Sequence, residues 1–397
     1  MPNIPLLGKK DPPMSDQLPD VAEHGYATSP AGGRTRPFVS ADVPQVVDLY
    51  LKVFPHGHQY SLNRLSARFR RVLLENPWYD PSISSQVYER DGKVCGFLGV
   101  VVRPMLLGSE IIHVATSNHF MVDASARRSM AGLELMSHLF AGPQDLTIAE
   151  AGDDSRKLWE ALGGRTSFAR SLFWTRVLRP AQYALYQLRK RGMRRDLSWL
   201  LRLPCGVFDA LALRSRHSPL YQSPPDPGEE ASEQALVACL SQVKKRNALF
   251  PLYDEYSLKW LLGVLSEKKL LGTLRKVLVH GKQREIVGWY IYYLNPKRIS
   301  TVLHLSALPG YLDEVFRHVC HEAWRQGSIA LTGRVEPRYV KEFCQNHCFL
   351  HWRSWMLVHS RYPRILTAFD GGEAIFTGLE GEWWISVEDE LPEQPET

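Results

Sequence analysis

A chain of 397 residues is too long for one compact core, and its 44% hydrophobic and 23% charged residues are typical of globular proteins. No apolar run reaches the roughly 18–20 residues of a membrane span, and the N-terminus lacks the apolar stretch of a secretory signal. Six scattered cysteines argue against a disulfide framework. These features predict two or three domains in the cytoplasm, with peripheral membrane attachment as a further option.

The net charge of +6 is concentrated in one segment. From Arg170 to Arg216 there are eleven arginines or lysines and only two acidic residues. Leucines and tyrosines alternate with these charges, which predicts one or two basic amphipathic helices whose apolar stripe packs on a domain. The functional alternative is a contact of residues 180–216 with an acidic protein or an anionic membrane surface. Nucleic acid is not expected, because the chain contains no nucleic-acid-binding module.

In chain order, residues 1–36 hold many Pro, Gly and Ser residues without apolar periodicity and are predicted to be a disordered leader. Residues 37–179 follow as strand, two helices, three antiparallel strands, helix, strand, helix and strand. Asp91-Gly92 marks a hairpin turn between the first two of the three strands. Residues 180–232 form the basic helical linker.

Residues 233–360 repeat the first domain. VFPHGHQYSLNRL at Val53–Leu65 matches LFPLYDEYSLKWL at Leu249–Leu261, and KVCGFLGVVV in the first hairpin matches EIVGWYIYYL in the second. The order of elements is also the same, which predicts two related domains packed around a shared interface. The C-terminal extension, residues 361–397, is expected to add a strand or hairpin and to end in a disordered acidic tail.

Residues 118–136, NHFMVDASARRSMAGLELM, distinguish the first half from the second. They predict a strand, a turn of small residues with Arg127 and Arg128, and a helix. Free N–H groups at a helix N-terminus, with arginine beside them, suit an anion such as phosphate. An ordinary corner with two solvated arginines is the alternative interpretation.

The order of elements, the strand–turn–helix at 120–136 and the segment LTIAEAGDDSRKLWEALGG at 146–164 resemble the GNAT superfamily of acyl-CoA-dependent N-acetyltransferases. The resemblance covers residues 37–179 and about 233–360. It implies an α/β (α+β) fold with two GNAT-like domains, each a mostly antiparallel mixed sheet flanked by helices. The second domain lacks the arginines and glycine of the loop and is therefore degenerate.

In that family the loop's N–H groups hold the CoA pyrophosphate, and the pantetheine arm enters between two splayed strands. The resemblance therefore implies acetyl-CoA or another acyl-CoA as co-substrate in the first half. The residues that it assigns to the cofactor are Met121, Val122, Arg127, Arg128, Ser129, Met130, Ala131 and Gly132. Two positions depart from the family, because Met130 replaces the first loop glycine and Trp159 replaces a frequent tyrosine acid.

Acyl transfer to an amine requires a base for the amine and a polarised thioester carbonyl. Glu150 and His119 are the predicted catalytic residues, because both lie at strand ends beside the expected acyl site. His56, His58 and Tyr60 occupy the loop where the family binds its acceptor, and they are predicted to contact substrate. For each residue a purely structural role is the alternative.

No metal site is predicted, because the His and Cys groups at 318–321 and 344–351 match no standard zinc spacing. The function predicted from the sequence is acyl-CoA-dependent N-acyltransfer to a small-molecule or carrier-bound amine. One alternative is a non-catalytic GNAT-like scaffold that binds an acidic carrier protein or a membrane surface. Another, within enzymes, is acyl transfer to a sugar in envelope or exopolysaccharide assembly.

Overall fold

The computed structural model describes residues 32–54, 60–126, 130–192, 201–212, 228–243, 249–372, 374–381 and 384–385. In the first half the elements are β1 (Gly33–Pro37), α1 (Val43–Val53), α2 (Leu62–Leu73), β2 (Gln86–Arg90), β3 (Lys93–Leu107), β4 (Glu110–Val122), α3 (Ala131–Ala141), β5 (Leu146–Ala151), α4 (Asp153–Ala161), β6 (Arg165–Thr166) and β7 (Leu172–Val177). Asp91 and Gly92 both have positive φ, 53° and 72°, as a two-residue hairpin turn requires.

The remaining elements are α5 (Pro180–Lys190), α6 (Arg202–Ala212), β8 (Gly228–Glu230), α7 (Glu233–Val243), β9 (Leu249–Pro251), α8 (Glu255–Ser266), β10 (Thr273–His280), β11 (Ile286–Leu294), β12 (Ile299–Ala307), α9 (Leu312–Arg325), β13 (Ala330–Arg334), α10 (Val340–Gln345), β14 (Phe349–Trp352), β15 (Trp355–His359) and α11 (Pro363–Asp370). The predicted α/β class, with two mixed and mostly antiparallel sheets flanked by helices, is confirmed.

Each sheet contains strands from both halves of the chain. The first runs β1-β2-β3-β4-β5-β15-β6, with β9 also paired to β3, and the second runs β14-β7-β13-β12-β11-β10-β8. Strand β15 of the second half therefore lies beside β5, and β7 of the first half lies beside β13. Because a strand edge left unpaired exposes its N–H and C=O groups, each half covers the edge of the other.

Both sheets begin earlier in the chain than expected. Strand β1 starts at Gly33, inside the range predicted to be a disordered leader, and β8 lies inside the range predicted to be a linker. Arg36 explains the order of β1, because its guanidinium contacts the Asp42 carboxylate at 2.7 Å and that of Glu89 at 2.6 Å. The proline-rich and glycine-rich composition of the leader conceals these specific contacts.

Helices cover both faces of the first sheet. Because neighbouring residues of a strand point to opposite faces, Val100 and Val102 of β3 pack with α3, whereas Phe97 and Val101 pack with α1 and α2. The cluster on the α1 face also contains Leu261 of α8 and side chains of the second sheet. The two halves thus share one hydrophobic core, and α9 and α10 cover the other face of the second sheet.

The C-terminal extension forms α11 and an irregular segment, with one isolated bridge between Leu249 and Ala374. The expected extra strand or hairpin is absent from the described residues. The buried guanidinium of Arg170 donates to the carbonyls of Phe369, at 2.6 Å, and of Ala374, at 3.0 Å. An arginine side chain therefore satisfies backbone acceptors that a strand would have paired with another strand.

Candidate functional site

The feature that defines the site is a gap between β4 and β5. These strands pair in parallel from Val114–Leu146 to Ser117–Ala149. Beyond that pair β4 continues to Val122, still paired with β3 at Gly96, and β5 continues to Ala151, still paired with β15. The strands therefore part just where the backbone of residues 118–122 faces β5.

A bulge in β4 shapes the start of the gap. The register with β3 shifts between Phe97 and Gly99, and His119 lies in the left-handed region with φ 46°. The Asn118 side-chain oxygen lies 2.7 Å from Nδ1 of His119. A Cβ on Gly99 would lie 2.3 Å from that same oxygen, so glycine is needed opposite the bulge.

A cavity of about 640 Å³ occupies the gap and extends between the two halves. Its volume is within the range of small-molecule sites. It reaches Met136 and Trp159 on the α3 and α4 side and Tyr50 and Phe54 on the α1 side, so it passes through the sheet. Segments of four strands form its walls, residues 117–120 of β4, 149–151 of β5, 301–303 of β12 and 332–334 of β13.

Glu150 lies at the wall where the two halves meet. Its carboxylate contacts Arg334 at 2.6 Å, and only 11% and 6% of the two side chains are exposed. Ser354 donates to the same carboxylate at 3.1 Å, and Arg334 also donates to the carbonyl of Arg170 at 2.7 Å. The predicted catalytic Glu150 thus lines the cavity with its charge balanced by the other half.

The predicted catalytic His119 also lines the cavity, but its imidazole is buried between aromatic rings. Its ring centroid lies 5.2 Å from that of Phe69 and 5.8 Å from that of Tyr50. Burial, helped by the positive charges of Arg68 and Lys268, lowers the pKa of His119 to about 3. The imidazole is therefore neutral at pH 7 and a weak base.

Of the residues assigned to the cofactor, Arg127, Arg128 and Ser129 lie outside the described part of the chain. Met130 precedes α3 with φ −77° and is half exposed, so a side chain is accommodated there without strain. Ala131 is fully buried. A Cβ on Gly132 would lie 3.2 Å from the Phe120 ring, so this glycine lets α3 approach β4 closely.

The two strand residues assigned to the cofactor differ in exposure. Met121 is 1% exposed and belongs to the core shared by the two halves, so it offers only its backbone to a ligand. Val122 packs at the edge of the cluster beneath α3. Both residues lie on the part of β4 that has left β5.

The predicted substrate loop is described only in part. His56 and His58 lie outside the described residues. Tyr60 is 8% exposed and packs in the shared core, with the Arg64 guanidinium 5.9 Å from its ring. Its aromatic side chain is thus placed in the core and not on the cavity wall.

Trp159 lines the cavity but its indole is already engaged. The N–H donates to the Val358 carbonyl of β15 at 3.1 Å, and the ring packs edge-on against Phe140. A Cβ on Gly164 would lie 2.0 Å from this indole, which explains the Gly-Gly ending of the α4 segment. The residue in the tyrosine position therefore fixes the exchanged strand.

Sequence reasoning missed the residues that the second half contributes. Arg334 and Arg353 line the cavity, and their guanidinium carbons lie 4.8 Å and 5.7 Å from the ring of Phe173. Arg334 corresponds to Glu150 by strand register. The last parallel pair is Ser117–Ala149 in the first sheet and Val302–Gly333 in the second, so Glu150 and Arg334 hold equivalent positions.

The second sheet has the corresponding gap, and the C-terminal segment lies against it. Beyond Val302–Gly333 the strands β12 and β13 no longer pair. The N–H of Gly378 donates to the Leu303 carbonyl at 2.8 Å, and the Thr377 hydroxyl lies 3.3 Å from Nδ1 of His304. His119 lies three residues before Val122, which pairs with Gly96 of β3. His304 lies three residues before Ala307, which pairs with Gly288 of β11, so the two histidines occupy equivalent positions.

No group of three or more His, Cys, Asp or Glu side chains among them is arranged to hold a metal ion. None of the described helices combines the length and hydropathy needed to cross a membrane.

No protein-family model and no curated sequence matches the chain. Its structure resembles a conserved protein of unknown function from Enterococcus faecalis V583, described as a probable N-acyltransferase, with 8% identity, 83% of this chain and 72% of that chain covered, and a TM-score of 0.55. It also resembles a GCN5-related N-acetyltransferase from Anabaena variabilis ATCC 29413, with 13% identity, coverage of 82% and 72%, and a TM-score of 0.54. The chain therefore has a GNAT-like fold in two halves.

Proposed function

We propose that this protein is an acyl-CoA-dependent N-acyltransferase with one cofactor site, in the gap between β4 and β5. The observation that carries the proposal is the cavity that passes through the first sheet at the point where parallel pairing ends. The GNAT-like fold supports it, because that fold places the pantetheine arm of CoA in such a gap. Acetyl-CoA is the simplest acyl donor that fits the proposal.

The backbone of β4 offers the contacts that a pantetheine arm requires. Past Ser117 its polar groups on the β5 side have no strand partner among the described residues. Pantetheine contains two amides, so it can add to this edge much as an extended peptide adds to a sheet. The start of α3 and the arginines Arg127 and Arg128 would then receive the pyrophosphate.

We propose Glu150 as the group that accepts the proton of the acceptor amine. In this step the amine nitrogen attacks the thioester carbon, its proton passes to the carboxylate, and the C–S bond breaks to release CoA thiolate. His119 is the weaker candidate, because a pKa of about 3 makes it a poor proton acceptor near pH 7. The Trp159 N–H is bonded to a backbone carbonyl and is not assigned to the thiolate.

The charges around Glu150 favour an acceptor that carries an anionic group besides its amine. Arg334 and Arg353 outnumber the one carboxylate on this wall, and Arg353 forms no ion pair with a described residue. A guanidinium is well suited to a carboxylate or phosphate. Amines with and without such a group, compared by CoA release, would define this preference.

The test of the cofactor site is ligand-induced stabilisation. A ligand at 100 times its dissociation constant adds about 2.7 kcal/mol to the free energy of unfolding. Acetyl-CoA and longer acyl-CoAs should therefore raise the melting temperature of the native chain. Ala151→Trp should abolish the shift, because Ala151 lines the cavity at the end of β5.

Ala161→Trp is the matched control, since Ala161 is exposed at the far end of α4 and does not line the cavity. It should keep the full shift, and both variants should melt normally without ligand. Absence of any shift with the native chain at millimolar acyl-CoA would refute the proposal. It would favour the non-catalytic scaffold instead.

A further inference from the structure

The outward face of α6 is apolar and exposed. Leu203, Val207 and Phe208 are 82%, 60% and 61% exposed, and Leu188 on the neighbouring α5 is 45% exposed. Single exposed apolar residues are ordinary, but three large ones on one face of a short helix are not. We call these four residues the α5–α6 apolar face.

The orientation of this face is fixed by the opposite side of α6. The Asp209 side chain is fully buried and accepts hydrogen bonds from the N–H groups of Ala181 and Gln182, at 2.9 and 3.1 Å. These are the first free donors of α5, so Asp209 caps that helix from a neighbouring one. With Asp209 held inward, Leu203 and Val207, one turn apart, must face outward.

Positive charge borders the apolar face. Arg189, Lys190 and Arg191 end α5 and are all exposed. The described residues of α5 and α6 contain no acidic residue except the buried Asp209.

We propose that the α5–α6 hairpin binds an anionic lipid surface, with the apolar face inserted among the acyl chains and the basic residues at the headgroups. An apolar helix face with basic flanks is the pattern of interfacial membrane helices. Each basic residue near an anionic surface strengthens attachment, and the apolar side chains gain by leaving water.

Vesicle sedimentation with the full chain tests this proposal. The probes are vesicles of phosphatidylcholine alone and vesicles that also contain about 30% phosphatidylserine. The native chain should bind the anionic vesicles at least tenfold more tightly, and about 0.5 M salt should weaken that binding. An acyl-CoA is not needed, so the outcome is independent of the proposed enzymatic function.

Two triple variants separate the two components. Leu203→Ser/Val207→Ser/Phe208→Ser and Arg189→Gln/Lys190→Gln/Arg191→Gln should each weaken binding at least tenfold. These positions are exposed, so the variants should fold, which circular dichroism can verify. The matched control, Lys282→Gln/Arg284→Gln/Lys297→Gln, removes three exposed charges elsewhere and should bind like the native chain.

The proposal would be overturned if the native chain failed to bind anionic vesicles. It would also be overturned if the serine variant bound them as well as the native chain, or if the control lost as much binding as the Arg189 variant. Capture of a purified acidic carrier protein without any vesicle binding would likewise overturn it and assign the face to a protein partner.

Discussion

The Glu150 carboxylate follows the last parallel pair of β5 and meets Arg334 of the other half at 2.6 Å. The sequence placed Glu150 at a strand end beside an expected acyl site, and the structure places it on the cavity wall. Its partner could not be read from the chain in the same way. Arg334 becomes its neighbour only because the two halves meet at the cavity wall.

We expect Glu150→Gln to lower kcat by about 10²- to 10⁴-fold, the usual contribution of a general base, with little change in acyl-CoA affinity. Glutamine is isosteric with glutamate and its amide oxygen can still accept from Ser354 or Arg334, but the amide cannot take the proton of the amine. Steady-state kinetics and a thermal shift with acyl-CoA measure the two effects. Glu110→Gln, at the exposed start of β4, is the control. If Glu150→Gln kept a kcat within twofold of the native value, Glu150 would not be the general base.

The equivalent histidines of the two halves share one physical property. Burial is the main cause that lowers the pKa of His119 to about 3 and that of His304 to about 4. The unfolded chain therefore binds protons at these residues near pH 6.5, whereas the folded chain does not. Stability must then fall as the pH falls below 6.5.

We expect the free energy of unfolding to decrease as the pH is lowered from 7 to 5. Below pH 6.5 each of the two histidines should contribute on the order of 1 kcal/mol per pH unit to this decrease. Urea unfolding at several pH values in this window measures the decrease in the free energy of unfolding. The window lies above the pH range in which most carboxylates titrate. His119→Gln should remove its share of the slope, and His347→Gln, at an exposed position, should not. A flat profile between pH 7 and pH 5 would contradict the assignment of buried neutral histidines.

At the scale of elements, hydrophobic periodicity and turn residues predicted the order of helices and strands in both halves. They did not predict that β7 and β15 change sheets. The strands that end each half have the same apolar pattern whichever sheet they join, and the sequence specifies the pattern but not the partner. The irregular path after α11 was missed for a similar reason, because its carbonyls bond Arg170 from far away in the chain.

The exchange of strands predicts that the two halves unfold together. Leu135→Ala in the first half and Leu331→Ala in the second remove fully buried side chains from different clusters, and each should cost about 2–5 kcal/mol. Scanning calorimetry should show one transition that moves to lower temperature in both variants. Leu203→Ala, at an exposed leucine, should leave it in place; two transitions, each moved by only one variant, would show independent halves.

At the scale of the molecule, two related sheets with equivalent gaps have different surroundings. The cavity of about 640 Å³ touches both gaps, but the C-terminal segment bonds to β12 only at the gap of the second sheet. The loss of the arginine-containing loop in the second half agrees with this difference. The predicted single cofactor site remains consistent with the packing, and the role of the second half becomes concrete, since it supplies Arg334 and Arg353 to the cavity wall.

The sequence by itself determined the duplication, the α/β class, the strand that ends at Val122, the helix that begins at Ala131 and the position of Glu150, because these depend on local periodicity and on spacing along the chain. Only the tertiary structure decided which strands exchange, which gap the C-terminal segment contacts and which arginine meets Glu150. Those outcomes depend on contacts between residues more than a hundred positions apart, and such contacts are selected by the fit and charge of whole surfaces.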